Sequence, residues 1–125
     1  MVKKIFLTLM SHCDLGYTDF VSQVKAKHIT YLTEVINLCA KTENYPEGQK
    51  FKWTCEESWE AKQFLEQASA VQKKKFFHFV RNGQIEIGGF IGGLLTELPS
   101  YEELIRSCEY AIDLAAKNKF SISTV

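Results

Sequence analysis

Two side chains near the amino terminus could share one divalent cation. His12 and Asp14 lie in the run Ser11-His12-Cys13-Asp14-Leu15-Gly16-Tyr17, directly after the apolar segment Ile5-Phe6-Leu7-Thr8-Leu9-Met10. Alternate side chains of an extended chain face the same way, so His12 and Asp14 point to one side, Ser11 and Cys13 to the other. An imidazole nitrogen and a carboxylate oxygen are ordinary zinc ligands, although another divalent metal would accept the same pair. Gly16 lets the chain turn after the pair, and Tyr17 sets a flat ring with a polar tip beside it. His-x-Asp is a short pattern, and a capped strand-to-helix turn that happens to hold a histidine accounts for the same residues.

The other chemistry-bearing groups are less organised. Glu56 and Glu57 are adjacent and face opposite ways if extended; Glu86 falls mid-strand and Glu97 in a loop. For each of them solvation or a structural salt bridge is the plain alternative. A thiol enzyme using Cys13 with His12 is a weak option, because neighbours on a strand point apart and the imidazole is badly placed to take the thiol proton. Gly88-Gly89 and Gly92-Gly93 imply a backbone pressed against something, or a mobile loop. They are not a phosphate loop, which needs a Lys and a Ser or Thr that are missing here.

The elements that must position these groups alternate. Residues 5–10 read as a buried strand, β-branched and aromatic, with Lys3 and Lys4 at its entrance. Thr18-Asp19 makes a helix N-cap, and Val21, Val24, His28, Leu32, Val35, Ile36 and Cys39 recur on one helical face that fades near Lys41. His28 sits on that stripe as a packed or rim histidine. After turn material at residues 43–48 come a strand over 51–55 and a helix over 59–67 with Ala61, Phe64, Leu65 and Ala68 inward. Ser69 and Gln72 have capping-box spacing, opening a helix that turns Phe76, Phe77 and Val80 inward and stops at Asn82-Gly83. Residues 84–87 alternate as a third strand. Ser100 and Glu103 start the last helix, whose buried stripe is Tyr101, Leu104, Ile105, Cys108, Ala111, Ile112 and Ala115; Asn118 closes it and residues 120–125 begin a fourth strand.

The order β-α-β-α-α-β-α-β predicts an α/β fold of parallel strands joined by helical crossovers. Function in such folds gathers at the carboxyl edge of the strands, where the His-Cys-Asp run, Glu56-Glu57 and the glycine pairs all fall. A fourth strand ending at Val125 would leave an open edge, so residues 1–125 are expected to be the opening portion of one β/α-barrel domain, apparently incomplete.

Composition narrows the partners. With 15 basic and 15 acidic residues the formal charge is zero, so neither nucleic acid nor a membrane surface is expected as a partner. No segment approaches the roughly 20 apolar residues of a membrane span. The opening Met-Val-Lys-Lys leads into motif residues instead of a cleavage site, and four cysteines without CxxC spacing fit a reduced, cytoplasmic chain. An open parallel edge also offers a route to homo-oligomerisation.

The ordered blocks resemble glycoside hydrolase family 38, the α-mannosidases. Residues 11–17 are similar to the His-x-Asp-x-Gly-aromatic segment that opens that catalytic domain; Phe51-x-Trp53 with Ser58-Trp59 is similar to its second-strand segment; residues 82–90 are similar to its Asn-Gly-Gln-Leu-Glu…Gly-Gly-Trp segment. The resemblance implies a zinc-dependent retaining glycosidase on a seven-stranded β/α barrel, acting on a carbohydrate. Zinc would be held partly by His12 and Asp14, with Tyr17 and Phe90 at the sugar. The nucleophilic aspartate would follow just after Val125, with the acid/base carboxyl and a last histidine ligand further on, so the 125 residues alone are expected to be inactive. Leu15 stands where the commoner motif has Pro, and Tyr17 and Phe90 where it has Trp. A divergent branch follows, with mannose specificity open. Two other readings compete: a metal-dependent carbohydrate deacetylase of related barrel fold, and a small non-enzymatic α/β interaction domain.

Overall fold

The computed structural model describes residues 1–3, 5, 7–12 and 14–125. Helix α1 (Val21–Thr42) buries Val24, His28, Leu32, Val35, Ile36 and Cys39 of the predicted stripe, while Val21, at its first position, is exposed. Its start differs. Phe20 is the N-cap, without a side-chain cap bond, and the Asp19 carboxylate accepts from the Phe20 N–H at 2.9 Å one residue earlier. Asp19 also binds Lys27 at 2.8 Å, which draws its oxygens along the helix surface.

Strand β1 (Trp53–Cys55), helix α2 (Ser58–Gln67), helix α3 (Ala70–Arg81) and strand β2 (Ile85–Ile87) make one parallel β-α-α-β unit. The capping box of Ser69 and Gln72 is formed, and the chain leaves α3 through Asn82 and Gly83, the latter at a φ of 77° that a side chain rarely adopts. Register pairs Trp53 with Ile85 and Cys55 with Ile87. The core is closed by α1, α2 and α3 over these strands, with Leu32, Phe64, Phe76, Ile85 and Ile87 almost wholly buried. Each such side chain contributes about 1.5–3 kcal/mol through burial. Gln84 is buried too, and its amide donates to the carbonyls of Cys39 (3.2 Å) and Phe51 (3.1 Å), tying the end of α1 to the start of β1.

The outer strands differ from expectation. Phe6 of the expected first strand, and Lys4 at its entrance, lie outside the described residues; Ile5 and Leu7 are exposed, and the described residues of the segment are not in a regular strand. A strand of this composition is buried only when layers cover both its faces, whereas α1 packs chiefly on α2 and α3. Leu9 is still tethered to β1, Thr54 N–H donating to Leu9 O at 2.8 Å. Residues 120–125 are likewise not a regular strand, and Gly89 N–H donates to Thr124 O at 2.8 Å. Within the pair, Trp53 N–H reaches Gln84 O and Gly88 N–H reaches Cys55 O. Neighbouring N–H groups point to opposite sides of a strand, so the two tethers lie on opposite edges. The spatial order is therefore Leu9, β1, β2, Thr124. The described sheet is a parallel pair with two tethered flanks, not a barrel wall of four regular strands.

Helix α4 (Tyr101–Asn118) has the expected capping box, Ser100 with Glu103. Its buried face is rotated from the predicted one: Ser107, Ala111 and Ala115 are buried, while Tyr101, Ile105 and Ile112 are exposed. Small residues four apart let the backbone approach closely, and Ile91 N–H reaches Ser107 O at 2.8 Å on that side.

Candidate metal centre

The Leu9–Thr54 tether sets His12 and Asp14 beside the end of β1, and two or three residues beyond it His12 faces Glu56. The ring Nδ1 lies 3.0 and 2.9 Å from the two Glu56 oxygens, and Nε2 lies 3.2 Å from Asp14 Oδ1. His12 is mostly exposed, the two carboxylates about a third exposed or less. The hydrogen bond to Glu56, then the charges of Glu56 and Asp14, raise the His12 pKa above its ordinary value of 6.5. The arrangement favours positive charge on or beside the ring.

Two ligands of one tetrahedral zinc, each about 2.0–2.1 Å from the ion, stand about 3.4 Å apart. The 3.2 Å between His12 Nε2 and Asp14 Oδ1 is close to that edge, so these atoms fit as half of a zinc site. Among the described residues no three His, Cys, Asp or Glu side chains are arranged to hold a metal ion. Cys13, between the two, lies outside the described residues.

The remaining candidates divide. Tyr17 stands exposed on the turn before α1, and Phe90 is half-buried after β2, where its carbonyl accepts from Ser58 N–H (2.9 Å) and Oγ (3.0 Å). Glu57 is buried at the start of α2; a Cβ on Gly93 would lie 3.0 Å from its Oε1, so that glycine makes room for a carboxylate. Glu86 accepts from Ser123 (2.8 Å) and Thr124 (3.1 Å), holding the carboxy-terminal segment, and Glu97 is exposed.

Two groups escaped the sequence reading. The sequence allows Glu56 a structural salt bridge but does not name its partner, because His12 is 44 residues away. Glu60 lies on α2 at zero exposure, its Oε2 3.4 Å from Nδ1 of buried His28, which in turn stands 3.5 Å from Ser11 Oγ. Burial raises the Glu60 pKa above 4.5, with the nearby His28 ring opposing it. A charged residue two after Glu56-Glu57-Ser58 on a short helix gives no signal of its own burial.

The sequence profile of the glycosyl hydrolases family 38 N-terminal domain matches residues 3–120. The chain belongs to glycosyl hydrolase family 38. No curated protein and no solved structure matches it in the same comparisons. The family 38 match spans the His12 run, β1 and β2 alike, so the segment that carries the candidate ligands and Glu56 at the end of β1 belong to one family domain. Among the described residues no helix is long and apolar enough to cross a membrane.

Proposed function

We propose that this family 38 domain belongs to a zinc-dependent retaining glycosidase of α-mannosidase type, built on a seven-stranded β/α barrel and working in the reducing cytoplasm. The observation that supports it best is the 3.2 Å approach of His12 Nε2 and Asp14 Oδ1 within a chain matched by the family 38 profile. His12 and Asp14 would hold the zinc, which when bound supplies a Lewis acid for sugar hydroxyls. The protein side does the rest. Glu56 fixes the imidazole, the turn at Gly16 presents the Tyr17 ring at the rim as a platform for a sugar face, and Phe90 offers a second ring from the loop after β2. Retention requires two carboxyl groups about 5–5.5 Å apart, one attacking the anomeric carbon and one donating the proton.

The test uses the protein as expressed from its gene. The double variant His12→Ala/Asp14→Ala is expected to lose bound zinc and the release of free sugar from aryl α-mannosides. Metal content and activity that both survive the double change would overturn the site. Release of acetate from acetylated sugars, with no glycoside cleavage, would replace the glycosidase reading by a deacetylase.

A further inference from the structure

We propose that Glu56 is the positioning residue for His12, accepting the Nδ1 proton so that Nε2 is left as the nitrogen turned toward Asp14 and the cation. The inference rests on the metal reading above and adds to it the identity of the ligating nitrogen and the group that selects it.

The geometry carries it. Both Glu56 oxygens lie within 3.0 Å of Nδ1, and neither reaches Nε2, whose own neighbour is Asp14 at 3.2 Å. A carboxylate only accepts, so Glu56 holds a proton on Nδ1, and Asp14 favours one on Nε2 as long as no cation stands between them; a cation on the Nε2 side displaces that proton and leaves the Nδ1 proton with Glu56. In a neutral imidazole that leaves the Nε2 lone pair for the metal, the arrangement in which a ligand histidine hands its other N–H to a carboxylate. Glu56 is also well anchored for the task. It directly follows β1, and Gly88 packs on its carbonyl, where a Cβ would come within 2.2 Å. The carboxylate therefore starts from a fixed backbone, whereas among the described residues the backbone before His12 meets β1 at Leu9, three residues back. The orientation runs from Glu56 to His12.

A salt bridge that merely pins residues 11–14 would predict a loss of stability on removing Glu56 and nothing specific about the ring. Positioning predicts more. Nitrogen-15 spectra of the His12 ring, taken at alkaline pH where it is neutral, should show the proton on Nδ1 in the wild type. Glu56→Ala should move the ring toward the Nε2–H form that free histidine prefers. Glu56→Gln keeps an acceptor oxygen and should hold the Nδ1–H form. Zinc affinity, read by competition with a chromophoric chelator, should fall 10–100-fold in Glu56→Ala and less in Glu56→Gln. Circular dichroism identifies any variant that fails to fold, and the wild-type and Glu56→Gln spectra then decide the matter.

An Nε2–H ring in the wild type, or a folded Glu56→Ala that keeps the Nδ1–H ring and zinc affinity within about threefold, overturns the proposal. Failure of the zinc reading looks different. The wild type would take up no zinc at all, while the ring spectra would still report whether Glu56 sets the tautomer.

Discussion

Gly88 sits so tightly on Glu56 that a Cβ at position 88 would stand 2.2 Å from the Glu56 carbonyl oxygen and 3.2 Å from that of Cys55. Both neighbours are backbone, and the Gly88 N–H is already bonded to Cys55 O at 2.9 Å. Neither strand can yield without breaking that pairing. Gly88→Ala is therefore expected to cost about 3 kcal/mol or more, at the upper end of overpacking. Chemical denaturation measures it. A loss below about 1 kcal/mol would mean the two strand ends separate easily, and Glu56 would lose its fixed backbone with them.

The capping boxes give a smaller effect. Ser69 Oγ accepts from Gln72 N–H at 3.3 Å while Gln72 Oε1 accepts from Ser69 N–H at 2.9 Å. Helix α3 carries Phe76 and Phe79 into the core, so fraying its first turn reaches the packing. Ser69→Ala should destabilise by about 1 kcal/mol, and Ser69→Gly by only a few tenths. Equal losses for the two would point away from the side-chain bond.

Those boxes were legible because they are local: Ser69 and Gln72, like Ser100 and Glu103, announce themselves by a three-residue spacing. The α1 stripe from Val24 to Cys39 was legible for the same reason. What could not be read depends on partners far along the chain. The Glu56–His12 contact spans 44 residues, and the burial of Glu60 follows from where α1 lies over α2. On α4 the periodicity itself was ambiguous. Leu104, Cys108, Ala111 and Ala115 recur with Tyr101, Ile105 and Ile112 over a wide arc, and packing against small side chains chose one flank of it. His12 and Asp14 were readable as a pair because alternation along an extended chain needs no tertiary information.

The α4 rotation is testable by contrast with the core. Phe64 on α2 is 1% exposed and packs its ring, tilted by 42°, at 5.4 Å from that of Phe76. Phe64→Ala should cost about 3–5 kcal/mol. Ile105, 64% exposed on α4, should change stability by no more than about 0.5 kcal/mol when replaced by Ser. A loss of 2 kcal/mol or so at position 105 would restore the stripe that periodicity suggested.

Glu60 makes stability depend on pH in a direction opposite to most carboxylates. Its carboxyl is held above the ordinary value of 4.5 first by burial, and the His28 contact only partly offsets this. Above the folded-state pKa the group is ionised in both states, and the buried charge disfavours the fold. As pH falls through that pKa the folded state binds a proton that the unfolded chain does not, so stability recovers until about 4.5, where the unfolded chain is protonated too. Glu60→Gln removes the ionisation while keeping the shape. The variant should therefore be more stable than the wild type at pH 7–8, by about 1 kcal/mol, and the margin should shrink as the pH is lowered toward 4.5. Urea unfolding of both proteins across that range reads the margin directly. A margin that grows on acidification would show instead that the ionised pair with His28 stabilises the core.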